Sequence, residues 1–405
     1  MKTYTTRPTG VRRSSVAAPV YRLTKAPLLA AAGAAFAVPS TSLAFDPFST
    51  PSAEETAQLD AWWKAFTLYK NDDNPLLQEF KLRGRYQGQY YWVDSDQGDA
   101  DAWEDRRSRF GFDAKLLDKK VEVRLDFQSN DSFEDTYDRL VDAYVKYRPT
   151  DSLAITVGRM KPSIGYYDFV QSTNAQPTFE RSQIFNQLRV DRATGLAVDG
   201  KVGKFSWVTG VYSNDTDREF GTFGGAYSFN AGVGYDAKAD FGWDRADFHL
   251  DWLHSGHDKD DYLFTRYDDI VSATFWGQEG QWGLVVEGFH GSGGGGRDED
   301  VFGFFIQPTY DLIPKRLQLV GRYSFATGDG LDSVVRQTRY ESEAPGLTGG
   351  GRGDEYHALY LGAQYFIHGD KLKLMAGAEY ADLDGAGNGG DYEGTTFLTG
   401  IRFSF

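Results

Sequence analysis

Side chains that alternate with a period of two, over segment after segment, limit this chain more than any other feature. At the C-terminal end Phe397, Thr399, Ile401, Phe403 and Phe405 fall on one face. Thr396, Leu398, Gly400, Arg402 and Ser404 fall on the other. A strand of this kind meets an apolar medium on one side and water on the other. Further up the chain, Phe80, Leu82, Gly84, Tyr86, Gly88, Tyr90 and Trp92 oppose Lys81, Arg83, Arg85, Gln87, Gln89 and Tyr91. Next, Phe110, Phe112, Ala114 and Leu116 oppose Arg107, Arg109, Asp113 and Lys115, and Val121, Val123, Leu125 and Phe127 oppose Glu122, Arg124, Asp126 and Gln128. Order of this length is hard to obtain by chance.

From Glu79 onward sixteen strand segments can be counted. Beyond the first three they run near 139–148, 152–159, 193–202, 204–213, 226–237, 245–254, 269–278, 281–290, 300–311, 316–326, 356–367, 371–381 and 394–405. Their connections alternate in length. Leu117-Asp118-Lys119, Pro149-Thr150-Asp151, Val202-Gly203, Gln278-Glu279-Gly280, Leu312-Ile313-Pro314 and His368-Gly369-Asp370 read as tight turns. Longer connections lie near 94–105, 129–138, 160–192, 214–225, 255–268, 291–299, 327–355 and 382–393, with a looser turn near 238–244. Short turns on one side and long loops on the other mark outer-membrane barrels. The expected fold is all-β, a transmembrane antiparallel β-barrel of sixteen strands with a short N-terminal helix. An aromatic strand ending in Phe403 and Phe405 resembles the assembly signal of bacterial outer-membrane barrels, which implies the barrel-assembly machinery and outer-membrane lipid as partners.

Composition fits this reading. No apolar run reaches the roughly 18 residues of a membrane-spanning helix, and 25% of residues are charged. The 24 Tyr, 29 Phe and 9 Trp are enough for two interfacial girdles. A soluble β-protein with aromatic cores would need long hydrophobic stretches that are missing. The absence of cysteine excludes disulfides and thiolate metal sites. Residues 1–44 read as an export signal: Lys2, Arg7, Arg12, Arg13, Arg22 and Lys25 are basic, Ala26 to Val38 is apolar, and Ser42-Leu43-Ala44 suits cleavage. Loss of six of the 43 basic residues and none of the 58 acidic ones would take the net charge from −15 to −21. That argues against nucleic-acid binding. Residues 45–78 form an N-terminal segment in which Ser52 caps a helix, Glu54 and Glu55 occupy its first turn, and Leu59, Trp62, Trp63, Phe66 and Tyr69 recur at helical spacing. It is expected to pack on the barrel or on a neighbouring copy. The barrel itself takes 79–405.

The stretch from Arg106 to Tyr212 resembles the phosphate-selective porins O and P. The residues that carry the resemblance are Arg109-Phe110-Gly111, Gly158-Arg159-Met160-Lys161-Pro162, Glu180-Arg181-Ser182 and Arg192-Ala193-Thr194-Gly195, in that order. The resemblance implies a sixteen-stranded homotrimeric channel whose third long loop folds inward and narrows the pore. It also implies anions such as phosphate as solutes. The strongly acidic composition departs from the basic character of phosphate-selective members.

A pore works by width and lining charge. The inner faces of the early strands would carry Lys81, Arg83, Arg85, Arg107, Arg109, Arg124, Lys146 and Arg148 as one basic wall. The third loop would add Arg159, Lys161, Arg181, Arg189 and Arg192, with Asp168 and Glu180 as opposing negative charge. Pairing of the arginines with Glu122, Asp126 and Asp142 would alternatively serve only to satisfy a polar interior. Acidic clusters at Asp94, Asp96, Asp99, Asp101, Glu104 and Asp105, and at Asp258, Asp260, Asp261, Asp268 and Asp269, read as solvated loops that would also draw cations to the mouth. His254, His257 and Asp258 have metal-ligating chemistry, but exposed loops often hold such sets idly, and no metal or cofactor is expected. The glycine run from Gly291 to Gly296 lacks the Lys-Ser/Thr of a phosphate-cradling loop. None of the six histidines falls in a recognisable catalytic spacing, and no enzymatic activity is expected. Passive diffusion of small hydrophilic solutes is the expected function, and a surface adhesin on a plugged barrel is the alternative.

Overall fold

The computed structural model describes residues 46–405 apart from 130–132, 134, 216–218, 224–225, 257–264, 294–298, 338, 344–350 and 386–389. The expected export signal, His257, Asp258, Asp260, Asp261 and Gly294 to Gly296 lie outside the described residues. Sixteen long strands follow one another among those described. The first eight are β1 (Leu77–Ser95), β2 (Gly98–Leu116), β3 (Val121–Ser129), β4 (Arg139–Thr150), β5 (Leu153–Met160), β6 (Ala193–Val202), β7 (Phe205–Ser213) and β8 (Tyr227–Asp236). The second eight are β9 (Arg245–Ser255), β10 (Tyr267–Glu279), β11 (Trp282–Gly293), β12 (Val301–Ile313), β13 (Leu317–Gly328), β14 (Glu355–His368), β15 (Leu372–Asp384) and β16 (Tyr392–Ser404). Each pairs antiparallel with its sequence neighbours. The sheet closes where β16 meets β1, in a register running from Gly394 opposite Ser95 to Ser404 opposite Arg85. Closure leaves no strand edge unpaired, as a strand-built membrane protein requires.

The alternation read from the sequence becomes the two faces of this wall. Leu82, Phe110, Val145, Val157, Leu196, Leu250, Ile306, Leu319, Leu361, Leu374 and Phe397 all face outward and are exposed. Exposed rings bound this band. Tyr90, Trp92, Trp103 and Trp252 lie toward the long loops, and Tyr147, Phe205, Trp207 and Trp282 toward the short turns. So much exposed apolar surface is stable only against lipid. The inner face buries Gln87, Gln89, Asp251, Glu287, Gln307, Arg322, Lys373 and Arg402.

One long connection is not a loop. Residues 94–105 continue β1 and β2 as a hairpin, with Asp94 opposite Asp99 and Ser95 opposite Gly98. The Asp- and Gly-rich composition that reads as a loop is overridden by ladder pairing and by contacts with the start of β16. Asp96 donates its backbone N–H to the Glu393 carbonyl at 2.9 Å, and its side chain accepts from the Glu393 N–H at 2.9 Å. Each arm is 19 residues long, whereas about 9–11 residues span a membrane, so the tip projects well beyond the bilayer. The looser turn expected near 238–244 contains a single helical turn, Lys238–Phe241.

At the short-turn end lies α1 (Ala53–Trp63), capped by Ser52, whose hydroxyl accepts the Glu55 N–H at 3.0 Å. Its Glu55, Leu59 and Trp63 fall four residues apart and are buried. Glu55 takes both carboxylate oxygens to Arg316, at 2.7 Å each, between β12 and β13. Trp63 donates its indole N–H to the Ser404 carbonyl at 2.7 Å and meets the Phe403 ring. Phe66 stacks on Phe405 at 3.7 Å, and a short strand, Thr67–Lys70, adds to the start of β1. The N-terminal segment therefore staples the seam where the barrel closes. Replacing Glu55 by Ala is expected to strand the fully buried Arg316 guanidinium and to weaken the docking of α1 by about 3 kcal/mol, the usual cost of truncating one partner of a buried ion pair. Limited proteolysis of residues 46–66 in the refolded variant would measure it, and native-like protection would refute it.

Candidate pore constriction

The third long loop, residues 161–192, crosses the barrel interior. Its first part is tied to the far wall. The backbone N–H groups of Tyr167 and Asp168 donate to the Glu287 carboxylate on β11, at 3.0 and 2.8 Å. The Gly165 N–H donates to the Ser272 hydroxyl on β10 at 3.0 Å. The loop then returns to β1, where Arg85 donates to the hydroxyls of Thr173 and Ser172 at 2.9 and 3.1 Å, and Gln87 donates to Asn174 at 2.8 Å. A helical turn, Gln183–Leu188, packs Ile184, Phe185 and Leu188 among Phe289, Val301 and Phe305 of the far wall. Arg192 closes the excursion on Asp142 of β4 at 2.6 Å.

A second loop also folds inward. Between β13 and β14, the described residues of the 329–354 connection lie against the third loop. Gln337 donates to the Arg181 carbonyl at 2.9 Å and accepts from Asn186 at 2.6 Å. Tyr340 donates to Glu180 at 3.2 Å, and Gln89 of β1 donates to Tyr340 at 2.5 Å. Nothing in the sequence pattern distinguishes this loop from the other long ones.

Beside the third loop, against the inner faces of β1 and β3–β9, lies a cavity of 550 Å³. Its charged lining is Arg83, Arg85, Arg124, Lys146, Lys161, Arg192 and Lys201 against one carboxylate, Asp199, with His249 also present. Lys201 was not among the residues the sequence singled out, although the alternation of β6 places it on the same face as Asp199. An adjoining 220 Å³ cavity brings Lys81 and Arg109 beside Arg83 and Arg85. Toward the short-turn end, a larger space of 1180 Å³ opens between the loop, α1, β10–β14 and the turn at residues 369–371.

The basic residues differ in how far they are neutralised. Arg83 pairs with Asp113 at 2.8 Å and Asp126 at 3.0 Å, and Arg124 pairs with Asp113 at 2.7 Å. Arg148 pairs with Glu122 at 3.1 Å, and Lys146 approaches Asp199 at 3.7 Å. Arg109 donates to Gln128 at 3.1 Å, and Arg107 donates to Gln87 at 2.8 Å. Lys161 donates to the carbonyls of Phe169 and Gln171, at 2.6 and 3.3 Å. Among the described residues, Arg85, Arg109 and Lys161 thus have only neutral hydrogen-bond partners. Burial holds the Lys161 ammonium well below its usual range, and Arg181 and Arg192 push the same way.

Four other residues of the expected set stand elsewhere. Arg159 donates to the carbonyls of Leu140 and Glu219, both at 3.1 Å. Arg181 donates to the Asp168 carbonyl at 2.8 Å and lies over the rings of Phe169 and Phe185. Arg189 caps the helical turn with a left-handed backbone and lines a small pocket with Arg266, Arg336 and Arg352. Asp168 is buried and accepts from the Ser182 N–H at 2.9 Å and hydroxyl at 2.5 Å. Burial raises its pKa.

Glu180 is also turned away from the cavity. It accepts two hydrogen bonds from Arg106, at 2.5 and 2.8 Å, with Arg107 at 3.9 Å. Burial alone would raise its pKa, but Arg106 and Arg107 hold it at about 2. A field between Asp168 or Glu180 and the basic wall is therefore not what the loop builds; both carboxylates fasten the loop. Arg106 escaped the sequence reading because of a β-bulge. Gln87 lies opposite Arg107 and Gly88 opposite Asp105, which leaves Arg106 as the extra residue. The bulge reverses the inward parity of β2 above it, so both arginines reach the lumen and Trp103 and Asp105 turn outward.

Residues 80–241 match the family model of the phosphate-selective porins O and P. Among solved structures, the chain is similar to OmpF of Salmonella typhi, with 14% identity, a TM-score of 0.58, and coverage of 84% of this chain and 100% of that one. It is similar to OprB of Pseudomonas putida, with 13% identity, a TM-score of 0.57, and coverage of 80% and 94%. It is also similar to an anion-selective porin from Comamonas acidovorans, with 13% identity, a TM-score of 0.55, and coverage of 80% and 99%. No curated protein sequence matches the chain.

Proposed function

We infer that this bacterial outer-membrane porin, similar over residues 80–241 to the phosphate-selective porins O and P, conducts small anions by passive diffusion past its third loop. The observation that carries the reading is the lining of the 550 Å³ cavity by seven basic side chains and one carboxylate. Net charge points the other way, but conduction responds to charge within reach of the solute. Exposed loop acids are screened beyond about 8–10 Å at physiological salt. Within the cavity, low-dielectric walls make the same charges act strongly. Arg85, with neutral partners only, has charge left for a passing anion, and Lys161, also without a carboxylate partner, offers it further N–H donors.

In this reading Arg83, Arg85, Arg124, Lys146, Lys161, Arg192 and Lys201 set selectivity. Lys81 and Arg109 extend the basic path toward the periplasm. Arg107, Asp168, Glu180 and Arg181 hold the loop in place, and Arg159 ties β4 to the connection after β7. Three barrels assemble as a homotrimer in the outer membrane. The fold and family are those of non-enzymatic channels, and we assign no catalytic residue. The purified protein in a planar bilayer under a KCl gradient is expected to show steady channels whose reversal potential has the sign of chloride permeation. A potential of cation sign would overturn the reading, and absence of conductance would favour a plugged, surface-binding barrel.

A further inference from the structure

The cationic cavity is not lined by charge alone. Tyr166 of the third loop faces it, with Val170 beside it on the same loop. Tyr166 is a built platform. Gly165 turns the backbone through a φ of +66°, and its N–H is held by Ser272. On the other side of Tyr166, the N–H groups of Tyr167 and Asp168 are held by Glu287. The ring lies flat on His249 of β9, with centroids 3.4 Å apart and 7° between planes, and the edge of Trp276 meets it at 6.2 Å. Three backbone hydrogen bonds and two ring contacts thus fix this residue in the lumen, in the same space as Arg85, Lys161 and Arg192.

An inorganic oxyanion makes no use of such a ring. A volume of 550 Å³ also lies within the ~300–1,000 Å³ typical of sites for small organic molecules. We propose that the channel favours aromatic carboxylates, with the carboxylate on Arg85 and Lys161 and the ring against Tyr166. The inference deepens the anion-channel reading and rests on it. Charge-assisted hydrogen bonds supply attraction common to all carboxylates, and ring-on-ring contact supplies the preference among them.

The test is block of chloride current in planar bilayers by benzoate, cyclohexanecarboxylate and acetate, on the native channel and on Tyr166→Ala and Tyr166→Phe. Benzoate is expected to half-block at a concentration about fivefold below that of acetate, as one aromatic contact allows. Tyr166→Phe should keep this difference, and Tyr166→Ala should erase it while the reversal potential stays unchanged. Equal block by benzoate and acetate in an anion-selective channel would overturn the inference and leave the channel reading standing. So would a benzoate preference that survives Tyr166→Ala. Cyclohexanecarboxylate as potent as benzoate would overturn the aromatic specificity. A native channel of cation sign would remove the channel reading itself.

Discussion

Changing Arg85 and Lys161 together to glutamate is expected to invert the reversal potential. Arg85→Glu replaces a positive charge by a negative one, and Lys161→Glu puts a negative charge where burial already weakens the ammonium, a change of three to four charge units in one cavity. A unit charge acts on another 4 Å away with about 1 kcal/mol in bulk water and several times that in a protein-lined space. Three to four units therefore amount to about 3–4 kcal/mol against anions and for cations even at water-like screening. Neither residue has a carboxylate partner that the change would orphan, since their hydrogen bonds go to hydroxyls and carbonyls. The double glutamine variant should fall between, with weakened anion preference. Matched reversal potentials at several salt concentrations would read the effect. An unchanged sign in a folded double-glutamate channel would show that selectivity resides elsewhere.

Gly158→Val is expected to abolish assembly of the folded barrel. Gly158 sits on β5 with a φ of +128°, a region that residues bearing a Cβ rarely adopt. An added Cβ would lie 2.2 Å from the Ala143 carbonyl oxygen and 2.7 Å from the Tyr144 Cα, both backbone atoms of β4. Neither can swing aside as a side chain would. Backbone strain and overpacking together cost about 3 kcal/mol or more, at the point where the chain leaves the wall for the third loop. Retarded mobility of the unheated protein on detergent gels distinguishes unfolded from folded barrel. A native-like folded fraction for Gly158→Val would refute the argument.

How far the sequence carries depends on the kind of contact. All sixteen strands were legible because each writes its own period, as Leu372, Leu374, Ala376, Ala378 and Tyr380 do on β15. The inward placing of Arg83, Arg85 and Arg124 was legible for the same reason: parity alone sends them to the lumen. Parity failed where the backbone inserts a residue. The bulge at Arg106 leaves no mark in composition, yet it makes this arginine the principal partner of Glu180. The loop residues were legible as a set but not by role. Whether Asp168 faces the pore or the loop is decided by Ser182, and whether Glu180 is available is decided by residues 74 and 160 positions away. The inward course of the described residues of the 329–354 connection and the platform at Tyr166 depend on such distant pairings throughout.

The many fastenings of the third loop have a mechanical consequence. A hollow cylinder is weakest across its diameter, where squeezing makes it oval. Here one segment is fixed to β1, β2, β4, β10 and β11, on opposing walls, through Arg85, Arg106, Asp142, Ser272 and Glu287. It acts as a strut within a wheel. The bore beside it cannot widen without stretching those spokes, nor narrow without compressing them, so its width follows the circumference of the wall and not the thermal wandering of a free loop.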